Sequence, residues 1–432
     1  MIPSARIAGA IEVLADIETK RRPAADALKE WGQMHRFAGS GDRAAIAGLV
    51  YDVLRRRASS AYVMGEATAR AVMLGMLRLE RGLDADAIAA LFDGSRFAPD
   101  PLSDDERGRL AGASLADAPP HVAGDYPEWL DASFAAIFGE ARAEEGAALA
   151  ARAPLDLRVN LNKADRDRAS AELAEYHPEE TSWSPWGLRI SVPPEAKSPA
   201  IQADPAFIKG HVEIQDEGSQ LAALLSGAQP GEQVVDLCAG AGGKTLALAA
   251  MMDNRGQLYA TDADKRRLAP IHARLERAGA RNAQVRTPRG ATEILDDLRG
   301  KIDLVLIDAP CTGTGSWRRN PDAKWRLRPG ALEQRRKDQA AALDRAVPLL
   351  KPGGRIAYIT CSVLDEENGA QIRDFLTRHN GFTVVNPNEV AEALGERSYL
   401  FRKAAMLSGT GLLMTPRRTG TDGFFVSVMR RS

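Results

Sequence analysis

Apolar residues in the first third of the chain recur three and four positions apart, as in IAGAIEVLADI from Ile7 and RAAIAGLVYDVLRRR from Arg43. That spacing lays an apolar stripe along a helix, and no strand-like alternation interrupts it before about residue 135. Residues 1–135 are therefore expected to form an all-α domain. Pro and Gly gather in APDPLSDDERG and DAPPHVAGDYP, between 98 and 128, and predict a long connection near its end. From about residue 154 the pattern changes. DLRVNLNK, RISVP and HVEIQ read as short strands around a helical stretch at 169–176, giving a linker and small α+β insert over 136–215.

From residue 216 to 432 the chain repeats strand, glycine turn, helix. VVDLCA (234–239), QLYATD (257–262), AQVRT (283–287), DLVLIDA (303–309) and RIAYITCS (355–362) are the strands, and GLLMTP with GFFVSVMRR suggests a closing hairpin. Alternation of this kind implies an α/β domain with a doubly wound, mostly parallel sheet and right-handed crossovers. Pro270 falls inside the helix expected after DADK and implies a kink or a later start.

Composition adds bounds to this picture. Hydrophobic residues make up 44% and charged residues 27% of the 432 positions, as in ordinary globular proteins. No stretch approaches the ~18 consecutive apolar residues of a membrane span. The first twenty residues mix Arg6, Glu12 and Asp16 with apolar positions instead of forming a signal core, so a cytoplasmic protein is expected. Cys238, Cys311 and Cys361 are too few for a disulfide framework and have no metal-ligand spacing, so no metal is expected. A net charge of −1 makes no whole-chain case for nucleic acid. Locally, however, Ser316–Lys337 carries eight basic residues against Asp322 and Glu333, with Trp317 and Trp325 interleaved. Cations beside aromatic plates suit phosphates and unstacked bases, although a solvated loop and helix face has the same composition.

CAGAGGKT at 238–245 follows the strand VVDL. A P-loop ending at Lys244 and Thr245 requires glycine at 238, where this chain has cysteine, and Gly-x-Gly-x-x-Gly fails because Thr245 follows Gly240 and Gly242. A strand, a glycine turn and a helix start remain, able to approach a ligand closely. Asp262 ends the next strand, where a carboxylate can grip two ribose hydroxyls. Cys311 and Asp308 follow the fourth strand and Cys361 the fifth, so an open parallel sheet would bring them into one crevice with the glycine turn. A lone cysteine in apolar company is ordinarily a small buried hydrophobe, but all three lie at carboxyl ends of strands.

QDEGSQ (215–220), DLCAGAGGKT (236–245), DADKRRL (262–268), DAPCTGTG (308–315), NPDAKWR (320–326) and TCSVLDEEN (360–368) together resemble the Fmu/Sun family of RNA (cytosine-5)-methyltransferases. The resemblance covers about residues 155–432. The N-terminal helices, with GDRAAIAGLVYDVLRRR at 41–57, resemble the NusB-like RNA-binding domain fused to this enzyme in the bacterial small-subunit ribosomal RNA methyltransferase B group. What the resemblance implies is a Rossmann-like domain that uses S-adenosylmethionine (SAM) to methylate carbon 5 of an unpaired cytosine in ribosomal RNA, acting as a monomer. It assigns Cys361 as the nucleophile, Cys311 to product release, and Asp308 to the base's ring nitrogen and the cofactor. Cys238, Ala239, Gly240, Ala241, Gly242, Gly243 and Lys244 would wrap the methionine end of SAM, and Asp262 its ribose. Asn368 and Glu366 would buttress the turn at the nucleophile. DNA cytosine-5 enzymes attack from Pro-Cys, which would nominate Cys311, and a catalytically silent RNA-binding scaffold is the alternative outside enzymes. This chain departs from the family at VRTPRG (285–290), which lacks the usual carboxylate for the adenine amino group.

Overall fold

The computed structural model describes residues 1–193, 199–288 and 293–432. The chain divides into two compact units, one holding Met1–Arg152 together with Trp317–Leu327, the other most of the remaining residues.

The first unit is all-α. Helices Pro3–Lys20, Ser40–Arg55 and Ala69–Leu79 contribute Ile7, Val13, Ile46, Val50, Leu74 and Leu77 to its core. Thr68 starts the last of these by accepting a hydrogen bond from the Ala71 N–H. Helix persists to Ala150, so this unit runs past residue 135. The Pro- and Gly-rich stretch at 98–128 is not one open connection. Ser103 and Glu106 form a reciprocal capping box that starts a helix over Asp104–Ala111, and Pro120–Ala123 adds another turn.

Trp317–Leu327 corrects the reading of the basic segment as an RNA platform. Trp317 is 1% exposed and stacks on Phe134 at 6.0 Å between ring centroids. Lys324, also 1% exposed, donates to the carbonyls of Arg55 (2.9 Å) and Asp125 (2.6 Å), and burial pulls its pKa down to about 7. Trp325 Nε1 donates to Leu54 O at 2.6 Å. Trp317 and Lys324, both enclosed in the helical core, therefore offer neither plate nor charge to a nucleotide. The exposed cations Arg335 and Lys337 stand on helix Pro329–Ala346, paired with Asp338 and Glu333.

The second unit carries two sheets. Strands β1 (Leu155–Val159), β2 (Glu179–Glu180), β3 (Gly187–Ile190) and β4 (Val212–Ile214) form an antiparallel sheet in the order β2-β3-β1-β4, the expected small α+β element. The larger sheet contains β5 (Gln233–Asp236), β6 (Gln257–Ala260), β7 (Ala283–Val285), β8 (Ile302–Asp308), β9 (Leu350–Thr360), β10 (Phe382–Val384), β11 (Met406–Ser408), β12 (Gly411–Met414) and β13 (Phe424–Arg431). Its order is β11-β12-β13-β9-β8-β5-β6-β7, with β10 on β13. The five strands β5 to β9 pair in parallel, and β13 returns antiparallel to β9, with β12 beside it as the tail pattern suggested. The inner strands are buried on both faces, which is why they read as continuous apolar runs. After β5 the chain winds outward through β6 and β7, then returns to β8 and β9. The switch point therefore lies between β5 and β8, where open α/β sheets bind ligands at their carboxyl ends. Pro270 divides the following helix into Lys265–Leu268 and Ile271–Ala278, as its missing N–H requires.

Candidate active site

The turn after β5 is shaped by backbone demands. Gly242 holds φ +88° at the start of helix Gly243–Met251, and a Cβ there would meet Ile271 Cγ1 at 2.6 Å. Arg274 fixes the same turn by donating to Ala241 O at 2.8 Å while pairing with the buried Glu213 of β4 at 3.0 Å. Asp262, 2% exposed, accepts from the Gly240 N–H at 2.9 Å and from the Asp264 N–H at 2.9 Å. Thr245 donates to Asp236 Oδ2 at 2.7 Å, and burial raises the Asp236 pKa to about 7. Asp236 Oδ1 and Thr261 Oγ1 are buried without a protein partner. Cys238 sits in the turn itself, where burial and then the charges of Asp236, Asp308 and Asp262 push its thiol far above the usual range.

Across the switch point, Lys244 is 6% exposed and not the surface lysine that sequence alone would favour. Its ammonium pairs with Asp308 at 2.7 Å and lies 5.1 Å from the Phe424 ring centre. Aspartates 236, 262 and 308 thus border one sheet edge. Such an edge suits a ligand that combines a cationic centre with ribose hydroxyls, and the unpartnered oxygens of Asp236 and Thr261 are polar groups that such a ligand would satisfy. The residues present fit SAM in these terms. Of the departure at VRTPRG, positions 289 and 290 lie outside the described residues.

Beyond β8 and β9 the two remaining cysteines meet. Cys311 Sγ and Cys361 Sγ are 3.3 Å apart, both half-buried and both free thiols. The bond to Cys361 is the largest influence on Cys311, followed by burial and the Glu367 carboxylate, and together these hold its thiol well above the ordinary pKa. The two sulfurs lie within hydrogen-bond reach of each other, and either can be the donor.

Two turns present these sulfurs. Thr314 Oγ1 shares a hydrogen bond with Ser362 Oγ at 3.0 Å and accepts from the Val363 N–H, while the Gly315 N–H donates to Cys361 O at 2.9 Å. Gly315 approaches Gly423 so closely that a Cβ on it would lie 2.1 Å from the Gly423 carbonyl oxygen. Asn368 takes the expected buttressing place: Thr360 Oγ1 donates to its Oδ1 at 2.5 Å and its Nδ2 donates to Ser362 O at 2.9 Å. The neighbouring Glu367, 0% exposed, also acts on these turns, accepting from the Thr312 N–H at 2.9 Å.

Sequence reasoning singled out Asp308, Cys311, Cys361, Lys244, Asp262 and the glycine turn, and the fold gathers them along one edge. It missed Arg274, Gln339, Glu367, Gly423 and Phe424. Only Gly423 leaves a local signal, a glycine opening an aromatic strand, which marks close backbone approach.

Residues 223–430 match the family model described as 16S rRNA methyltransferase RsmB/F. A probable ribosomal RNA small subunit methyltransferase B from Synechocystis sp. is 32% identical over 314 residues, 71% of this chain and 67% of that protein. A ribosomal RNA small subunit methyltransferase B from Enterobacter sp. is 37% identical over 237 residues, 54% of this chain and 53% of its own length. Matched stretches thus take in from about half to two thirds of these relatives. The crystal structure of NSun6 from Pyrococcus horikoshii with SFG has a TM-score of 0.59 at 20% identity, covering 71% of this chain and 98% of its own, a likeness of fold.

Proposed function

Because the chain belongs to the RsmB/F family of 16S rRNA methyltransferases, we propose that it methylates carbon 5 of an unpaired cytosine in 16S rRNA, with SAM as donor and Cys361 as covalent nucleophile. The observation that carries this reading is the pair of thiols 3.3 Å apart at the ends of neighbouring parallel strands, one strand away from the glycine turn.

Carbon 5 of cytosine is too poor a nucleophile to take a methyl group directly, so addition at carbon 6 must first load the ring with electrons. A thiolate is the suitable attacking group. In this reading Cys361 attacks as the thiolate, with the Cys311 sulfur 3.3 Å away. Attack joins Cys361 Sγ to carbon 6 and leaves carbon 5 electron-rich. SAM supplies an electrophilic methyl group. Cys238 to Lys244 would cradle SAM, Asp262 would hold its ribose, and Asp308 would face its sulfonium. Asp308, paired with Lys244 at 2.7 Å, takes the ring-nitrogen side of the base, where the Lys244 ammonium offsets the charge that addition creates. After transfer the carbon 5 proton leaves to water, the carbon 6 to sulfur bond breaks, and its electron pair returns to Cys361, where a Cys311 S–H stabilises it.

The target base must leave its stack to reach these sulfurs, which favours an unpaired segment. The all-α unit, NusB-like by resemblance, would add RNA affinity as linked modules do. The chain carries this out as a cytoplasmic monomer, and no described helix is long and apolar enough to cross a membrane. Incubation with unmethylated 16S rRNA and labelled SAM, followed by bisulfite sequencing, tests the proposal. A single new 5-methylcytosine that disappears with Cys361→Ala supports it, and unchanged turnover by Cys361→Ala overturns it.

A further inference from the structure

Glu367 and Asn368 are neighbours in sequence, and each acts on the residues either side of a different cysteine. Asn368 holds Thr360 and Ser362, the residues before and after Cys361. Glu367 accepts from both the backbone N–H (2.9 Å) and the hydroxyl of Thr312, the residue after Cys311. Before Cys311, the Pro310 carbonyl accepts from Gln339 Nε2 at 3.0 Å, and that same amide donates to Glu367 Oε1 at 3.0 Å. Tyr358 of β9 closes the frame by donating its hydroxyl hydrogen to Glu367 O at 2.7 Å. A carboxylate with 0% exposure is costly to bury, and its desolvation raises its pKa. It stands beside Cys311, where negative charge disfavours the thiolate.

We propose that Glu367 is the positioning residue of the cysteine pair, fixing the Pro310–Thr312 turn so that Cys311 presents its S–H to Cys361 Sγ when the methylated base is released. Glu367 touches neither base nor SAM in this role. It acts through Cys311. Glutamate rather than glutamine is required because both carboxylate oxygens accept, one from two N–H donors and the other from the Thr312 hydroxyl. Glutamine would set its own donor against one of these. The proposal rests on the reading of Cys361 as nucleophile and Cys311 as release aid.

The test compares Glu367→Gln, Cys311→Ala and Cys361→Ala in the full chain with 16S rRNA. Three quantities are read: SAM affinity by calorimetry, methyl transfer in a single turnover, and RNA bound covalently to protein on a denaturing gel. For Glu367→Gln, SAM affinity and single-turnover transfer should stay near those of the parent. Multiple turnover should fall about tenfold to a hundredfold as covalent RNA accumulates, approaching the level of Cys311→Ala. A purely structural role would lower all three steps together and trap no RNA, which would overturn the proposal, as would parental turnover. If Glu367→Gln does not fold, Thr312→Val removes only the hydroxyl donor and should trap RNA to a smaller extent; none trapped would overturn the proposal. If Cys361→Ala still turns over, the reading beneath the proposal is the part that fails. If Cys361→Ala is dead and Cys311→Ala traps RNA while Glu367→Gln does not, the role of Glu367 alone fails.

Discussion

Replacing Gly242 by alanine tests the glycine turn with an internal control two residues away. Gly242 and Gly240 both hold positive φ, +88° and +51°, so an alanine at either pays roughly 1–2 kcal/mol for a left-handed backbone. Their surroundings differ. A Cβ on Gly242 would lie 2.6 Å from Ile271 Cγ1 and 3.0 Å from Cδ1, and Ile271 is fully buried, whereas a Cβ on Gly240 meets nothing nearer than the mobile end of Arg267 at 3.5 Å. Overpacking of that kind adds about 1–3 kcal/mol, giving roughly 2–5 kcal/mol for Gly242→Ala against 1–2 for Gly240→Ala. The penalty is divided between unfolding free energy, if the turn keeps its shape, and SAM affinity, if it shifts to spare Ile271. Both should therefore be measured on each variant, by denaturant unfolding and by titration calorimetry, and added. A combined loss that agrees between the two variants within about 0.5 kcal/mol would refute the claim that Ile271 packing shapes this turn.

Trp317→Ala should destabilise the protein by about 3–5 kcal/mol, measured by denaturant unfolding, because the ring is buried against Phe134. If the tryptophan instead served RNA, stability would hold and RNA affinity alone would fall. Lys324, with its pKa lowered to about 7 from an ordinary 10.5, makes stability rise with pH between roughly 7 and 10, where the unfolded chain binds a proton the folded chain has released. The slope from this one group is at most about 1.4 kcal/mol per pH unit, and Lys324→Met should flatten it in urea unfolding run across that range. Arg274→Ala frees the Ala241 carbonyl and leaves buried Glu213 paired with Arg277 only, beside the charge of Arg158, and should weaken SAM binding about tenfold in calorimetry with little change in RNA affinity.

The parallel sheet was legible because strands buried on both faces write themselves as unbroken apolar runs, and glycine turns mark where they end. The chemistry was legible because reactive residue types fell at those ends. Less visible was what depends on distant partners. Ser103 and Glu106 have capping-box spacing, yet the surrounding prolines drew attention to a loop. Trp317 and Lys324 look like a nucleic-acid surface in a linear string, and only the helices of the first unit, nearly two hundred residues or more earlier, bury them. Glu366 and Glu367 are indistinguishable by type. What Glu367 reaches is decided by the short helical turn Asp365–Glu367 and by Gln339 from a separate helix.

The most direct test of the central claim is peptide mapping of the covalent complex that Cys311→Ala forms with 16S rRNA and SAM. The account predicts a methylated pyrimidine attached to the peptide bearing Cys361, at the sulfur. Attachment through any other residue, or a complex that forms equally well when Cys361 is also replaced, would contradict it.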